Sequence, residues 1–264
     1  LEQPKEEEIV VAKKDPGTSM IAWDRELAEA AKASAAQVAG LGGGPFFSIR
    51  AGTLSVNGSP IPNNEMAVVV LDHVAENVFY GSEYDPDNAG SPGCYAFGRD
   101  PATLAPMNEA PEKVSAQCKG CPNNEFGSAE KGRGKACKNR FRLACIPAGT
   151  LTNGRFEAFD DPEAFSSAQV AYLGVPPTSI AAWGAYVKSL AGALKRPPFG
   201  VFTKIKVVPD PKKQLAVTFE LLGPAPAELA GVLMKAHESA KENIIFPYPE
   251  RDAAPAKPVK KRRF

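Results

Sequence analysis

A chain of 264 residues with 44% hydrophobic and 23% charged side chains has the make-up of a folded protein, one large domain or two small ones, with enough apolar material for a real core. Its formal net charge of +1 gives no global signal for nucleic acid, so any such signal has to come from how the charge is distributed. No apolar run approaches the length of a membrane span, and no signal-peptide pattern opens the sequence, which argues against a membrane partner.

In chain order, residues 1–20 are charged and aperiodic and read as a flexible N-terminal arm. Residues 21–38 are alanine-rich, with Trp23, Leu27, Ala31 and Val38 near helical spacing, and predict a helix. Gly40, Gly42, Gly43 and Gly44 end it; the run lacks the Lys-Ser/Thr sequel of a phosphate-binding loop. A β-rich block follows. Residues 45–50 and 53–56 predict short strands, with Asn57-Gly58 a strong hairpin turn. Residues 66–74 read as a nearly continuous apolar strand, 77–84 as the next, 95–97 as another and 140–146 as the last of the block. Short antiparallel strands interrupted by an insertion predict a small closed barrel rather than a sandwich.

The second half is mixed. Thr178 or Ser179 offers a cap for a helix reaching Leu194, with Ile180, Trp183, Val187, Leu190 and Leu194 on one face. Residues 201–208 and 215–221 alternate as a β-hairpin, and residues 226–241 form a last helix with Leu229, Val232, Leu233 and Ala236 inward. The tail, 247–264, is rich in Pro, Ala, Lys and Arg and predicts a basic disordered segment. The expected class is therefore α+β: an arm, a single domain over 21–246 with helical and hairpin additions to a barrel, and a tail.

The cysteines give the sharpest signal. Cys118 and Cys121 form a C-x-x-C turn with Gly120 between them, and Cys94 and Cys137 flank it. The residues between are Gly, Asn, Lys and Glu, which do not build a core. Four such thiolates match a closed structural Zn2+ site of the ribbon type, in a reducing compartment. Cys145 is left over. It shares a strand face with Phe141 and Leu143 by period two, opposite Arg140 and Arg142, and reads as a small core hydrophobe.

A cationic stretch overlaps the thiols. Lys131, Arg133, Lys135, Lys138, Arg140 and Arg142 occur with no acid among them, a local footprint for phosphates. Period two also groups Tyr95, Phe97 and Arg99 on one face, Phe46 with Arg50, and Val78 with Tyr80. Aromatics beside Arg and Lys on a barrel surface make a stacking platform for unpaired bases, so Phe46, Arg50, Tyr80, Tyr95, Phe97 and Arg99 join the candidate contacts. Lys204 and Lys206 either extend this surface or form the wet face of the hairpin. Glu65, Asp72, Glu76, Glu83, Asp85 and Asp87 are candidates for magnesium binding in a nuclease, although no hydrolase, deaminase or nucleotide-binding motif accompanies them. His73 and His237 read as structural.

The run from Cys118 through C-P-N-N-E-F-G-S-A and G-R-G-K-A-C-K-N-R-F-R-L, with the upstream Cys94, resembles a motif of proteins encoded in the replication modules of tailed bacteriophages. The likeness covers roughly residues 45–150, with weaker similarity at T-K-I (203–205) and V-T-F-E-L (217–221). It implies an OB-like antiparallel β-barrel with a zinc-bearing insertion, ligated by Cys94, Cys118, Cys121 and Cys137. It further implies a non-enzymatic single-stranded-DNA-binding protein of phage DNA replication or recombination, acting in the cytoplasm of the infected bacterial host beside phage or host replication proteins. Many replication single-strand binders end in an acidic tail with a terminal aromatic. Here Phe264 is terminal, but Lys257, Lys260, Lys261, Arg262 and Arg263 make the tail basic, which suggests added phosphate contact. The alternatives are a zinc-stabilised adaptor that binds a polymerase or transcription enzyme, and a metal-dependent nuclease.

Overall fold

Two-residue turns set the local pairings. Strands β1 (Phe46–Arg50) and β2 (Thr53–Val56) join through Ala51-Gly52, and β2 joins β3 (Ser59–Pro60) through Asn57-Gly58. Asn57 and Gly58 both have positive φ, as a type I′ hairpin turn requires and as their dipeptide predicts. The computed structural model describes residue 30 and residues 46–81, 91–130 and 132–248. The chain divides into two units, Leu1–Gly43 and Gly44–Phe264; of the first only Ala30 is described, and it is helical. The expected arm, most of the 21–38 helix and the tail beyond residue 248 lie outside the described residues.

Strand β4 (Glu65–Phe79) runs unbroken for 15 residues, where the sequence predicts two strands. Its apolar continuity has a simple cause: it is central and covered on both faces. Strand β5 (Cys94–Gly98) pairs with its distal half. Then come β6 (Lys138–Pro147), the hairpin β7 (Gly149–Thr152) and β8 (Arg155–Ala158), helix α1 (Pro162–Ser166) and β9 (Ala171–Val175). Helix α2 (Ile180–Ser189), the long hairpin β10 (Val201–Asp210) and β11 (Gln214–Pro224), and helix α3 (Ala230–Asn243) complete the fold. The hairpin and both larger helices occupy their predicted places; β7, β8 and β9 have no counterpart in the sequence reading.

Among the described residues nine strands form one sheet in the order β11-β10-β4-β6-β9-β1-β2-β3, with β5 beside β4. The sheet curls strongly into a half-barrel, and β11 and β3 do not pair with each other, so the barrel is open. Strand β1 lies parallel to β9 while its other neighbour is antiparallel. The class is mixed α+β, as expected; closure is not.

Both faces carry a core. One holds Val69, Leu71, Val74, Ile146 and Phe202 beneath Leu229 and Leu233 of the α3 segment. The other holds Val68, Val70, Leu143, Cys145 and Ile205 against Trp183, Tyr186 and Leu190. Cys145 is fully buried there, and burial pushes its thiol pKa up, so it packs as the expected hydrophobe. Ser179 does not cap α2. Its buried Oγ accepts the N–H of Val217 at 2.8 Å and ties the helix to β11 instead. The α-helix gives way at Leu190 to a π turn that ends on left-handed Lys195, leaving Leu194 exposed.

A β-bulge divides β4. Val70 faces Cys145 and Asp72 faces Ala144, so Leu71 is the extra residue. Before it the odd positions Ala67, Val69 and Leu71 face the α3 side; after it the even positions Val74 and Val78 do. His237 completes this arrangement. Its Nδ1–H donates to the Leu71 carbonyl at 2.7 Å, and its ring stacks on Phe199 at 4.2 Å. His237→Ala is expected to cost about 1–3 kcal/mol by orphaning that carbonyl, read as a shift in urea midpoint at unchanged slope.

The chain past α3 folds back onto the sheet rather than leaving it. Phe246 packs on Tyr172, and Tyr248 on Tyr95. The folded body therefore reaches Tyr248, two residues beyond the expected boundary, because Phe246 and Tyr248 cover apolar surface that would otherwise face water.

Candidate functional site

Most residues of the C-x-x-C-P-N-N segment have a local task. The Cys121 N–H bonds the Cys118 carbonyl at 3.4 Å across Gly120, whose φ of 75° closes the turn. Asn124 Nδ2 donates to the Cys118 carbonyl at 2.8 Å, and Asn124 Oδ1 accepts from Asn139 at 2.9 Å and Lys135 at 3.3 Å. The Cys137 N–H reaches the Asn123 carbonyl at 2.7 Å, and the Ser128 hydroxyl accepts the Ala136 N–H at 2.9 Å. This network folds the loop back so that Cys137 returns to the C-x-x-C turn, while β5 delivers Cys94 from its first position.

Cys94, Cys118, Cys121 and Cys137 line one small cavity with Asn77, Asn123 and Asn124. Burial pushes the thiols of Cys94, Cys118 and Cys137 up, Cys137 to about 12, and the neighbouring thiols add to each shift. Asn77 donates to Cys118, and Lys135 works the other way on Cys137. Among the described residues no group of three or more His, Cys, Asp or Glu side chains is arranged to hold a metal ion as it stands. The thiols converge without that closure. The donor set is four soft sulfurs and no carboxylate, which suits zinc, with amide and lysine groups around it.

The cationic stretch divides in two. Arg133 and Lys138 are exposed on the loop and the start of β6, and Lys138 Nζ donates to the Lys135 carbonyl at 2.8 Å. Lys131 lies outside the described residues. Lys135 stands over the ring of Phe126 at 5.1 Å, and Phe126 is 82% exposed. The sequence reading missed Phe126. Its signal is an aromatic set among Glu, Gly and Ser in a loop with no apolar residue to pack it.

Arg142 overturns the expectation for its half. Its side chain is 1% exposed, with the guanidinium 4.2 Å from both the Phe97 and Phe246 rings and an ion pair to Glu76 at 2.6 Å. Tyr95 and Phe97, 2% and 8% exposed, are likewise inside, in the core rather than on a free platform. Arg140 pairs with the other Glu76 oxygen and donates to the Tyr248 hydroxyl, yet keeps 26% of its side chain exposed. Burial alone would raise the Glu76 pKa; the Arg140 and Arg142 guanidinium groups overcome it and hold the carboxyl below its usual range. Arg99 lies toward the β4 bulge, bonded to Asp72 at 2.6 Å, away from the other cations.

What stays accessible gathers at one end of the sheet. Lys138 pairs with Val78 at the close of β4, and Tyr80, two residues on, is exposed. Continuing the parallel register of Phe46 with Tyr172 brings Arg50, exposed, level with Arg140. Phe46 is part-exposed behind them, its ring 5.7 Å from Arg142. The thiol cavity sits at this same end, reached from the opposite face through Ala96 and Cys118.

The remaining candidates are spoken for. Lys204 pairs with Glu220 at 2.6 Å and Lys206 with Glu65 at 2.9 Å, so they form the outer face of the hairpin. Glu65, Asp72 and Glu76 each bind a cation rather than one another, which removes them as a magnesium cluster; Glu83, Asp85 and Asp87 lie outside the described residues. His73 is packed edge-on against Trp183 at 5.3 Å, and burial pushes its imidazole pKa down. Among the described residues no helix is long and apolar enough to cross a membrane. No protein-family model matches the chain, and no curated protein or solved structure matches it either.

Proposed function

We propose that the protein binds single-stranded DNA without catalysing a reaction, by tracking the phosphate backbone and stacking bases, in phage DNA replication or recombination in the cytoplasm of an infected bacterium. The observation that carries this reading is Phe126, left 82% exposed under the ammonium of Lys135. Burying a Phe side chain stabilises a fold by about 1.5–3 kcal/mol, and this one is left in water. Arg133 lies exposed on the same loop, and at the same end of the sheet Lys138, Arg140 and Arg50 supply cations and Tyr80 a second accessible ring. Rings that every base can stack on, set along a cationic track, bind with little sequence preference. In this reading zinc is held by Cys94, Cys118, Cys121 and Cys137, and its role is to clamp the loop that presents Phe126. The open half-barrel would serve as an OB-like platform, with the resemblance to phage replication proteins supporting that finer assignment.

The test is fluorescence anisotropy with a labelled oligo(dT) and a duplex of equal length, over a salt series. Single strands are expected to bind more tightly, with a log–log salt slope of roughly −3 if about four phosphates are neutralised. Phe126→Ala is expected to weaken binding about tenfold at unchanged melting temperature, the loss of one stacked base. A salt-independent signal, or equal affinity for duplex, would overturn the reading.

A further inference from the structure

One short length of chain covers the sheet face that carries Arg140 and Arg142. Beyond α3, the Ile244 carbonyl accepts Arg142 Nη1 at 3.2 Å, and Phe246 lays its ring 4.2 Å from the Arg142 guanidinium. Two residues later the Tyr248 ring stacks on Phe97, 6.3 Å between centroids and 17° between planes, and its hydroxyl donates to Glu76 at 2.6 Å. Side chains hold this strap. Among the described residues, 245–248 take part in no backbone–backbone hydrogen bond, so it lifts without breaking a ladder.

Beneath the two rings lie the Arg142 guanidinium, Phe97 and Tyr95, reached from the accessible end of the sheet through Arg140. A cation with planar apolar surfaces at its side is the composition of a single-strand stacking platform, and here it is already occupied by planar rings. Phe246 and Tyr248 alternate about Pro247, one ring on the guanidinium and the next on Phe97. We infer that residues 244–248 are a built-in occupant of a second, covered tract of the single-strand site, that Phe246 and Tyr248 stand where two bases stack, and that single-stranded DNA displaces them. This rests on the single-strand reading above. Closed strap and bound strand exclude each other here, so the apparent affinity of the tract falls with the fraction of molecules in which the strap is closed.

The experiment uses the full chain and oligo(dT). Phe246→Leu loosens the strap and is expected to tighten binding about fivefold, whereas Phe97→Leu keeps an apolar side chain but removes a stacking surface and is expected to weaken it about tenfold. Hydroxyl-radical footprinting of the unsubstituted protein supplies a readout independent of variant folding. On saturation with oligo(dT), oxidation of Phe246 and Tyr248 is expected to rise while Phe97 stays protected. If the protein binds but Phe246 and Tyr248 keep their protection and Phe246→Leu binds no tighter, the strap is purely structural and single-strand binding at the exposed end still stands. If neither the protein nor Phe246→Leu binds, both readings fall. If only Phe246→Leu binds, the strap is inhibitory as inferred.

Discussion

Glu76→Ala is expected to destabilise the protein by about 3–5 kcal/mol, the largest single-residue loss in the sheet. Glu76 is 1% exposed and takes both Arg140 and Arg142, and the Arg142 side chain is as deeply buried as its partner. Removing the carboxylate strands a guanidinium among Phe97, Phe246 and Tyr248 with no counter-charge. Replacing the pair together, Glu76→Leu with Arg142→Met, is expected to recover most of the loss, since apolar residues of similar size need no desolvation. Urea unfolding of the two variants beside the unsubstituted protein reads this directly; a loss below about 1 kcal/mol for Glu76→Ala would show that the pair contributes nothing net. The same carboxyl sets an acid limit. Its folded pKa is depressed below the ordinary 4.5, so its contribution is complete above that value and is lost as pH falls through the lower folded one. The melting temperature of the unsubstituted protein is accordingly expected to drop below about pH 4.5 more steeply than that of the Leu/Met pair.

The second large effect concerns the insertion between β5 and β6. Its apolar content is slight: Leu104 and Cys118 meet Ala75, Ala96 and part of Phe141, while Ala110 and Met107 reach the core on the α3 side. Ordering a residue's backbone costs about 1–2 kcal/mol, so a segment of this length cannot be held by those contacts alone. With zinc on the four thiols, the purified protein is expected to contain about one metal ion per chain. Chelation or Cys137→Ser is expected to lower stability by several kcal/mol, a fall in melting temperature of roughly 10 °C or more, and re-addition of zinc to restore the chelated protein but not the variant. Metal analysis and thermal melts on one sample check it. A metal-free preparation that melts unchanged would remove zinc from the account, and the loop would then depend on its hydrogen bonds and its packing against the two cores.

Local chemistry made parts of this fold readable. Asn57-Gly58 needs positive φ and yields a hairpin; the alternation from Arg140 to Ile146 predicts one strand, and β6 is that strand, though both of its faces are covered. Asn153-Gly154 carries the same turn signal between β7 and β8 but was masked by its weakly apolar flanks. The unbroken β4 was not readable, because its bulge changes which positions are apolar and a change of phase looks like a break. The parallel contact of β1 with β9 depends on a crossover of more than a hundred residues, which no local pattern encodes. Part of the candidate site is buried, for a reason no strand pattern carries. Period two correctly put Arg140 with Arg142, and Tyr95 with Phe97, on common faces; it says nothing about whether a later segment covers them. Tyr248 and Phe246 do, and they straddle the point at which the composition begins to read as a tail.

The bulge at Leu71 has one more consequence. Because the strand changes phase there, the layer that a side chain enters alternates along β4 in one sense up to Val70 and in the opposite sense from Asp72 onward. Odd-numbered positions enter the α3 layer before the bulge, and even-numbered positions enter it afterwards. The strand's assignment to its two cores therefore divides at a single residue, and Glu76 shares the arginine-bearing face because that residue turns the distal half over.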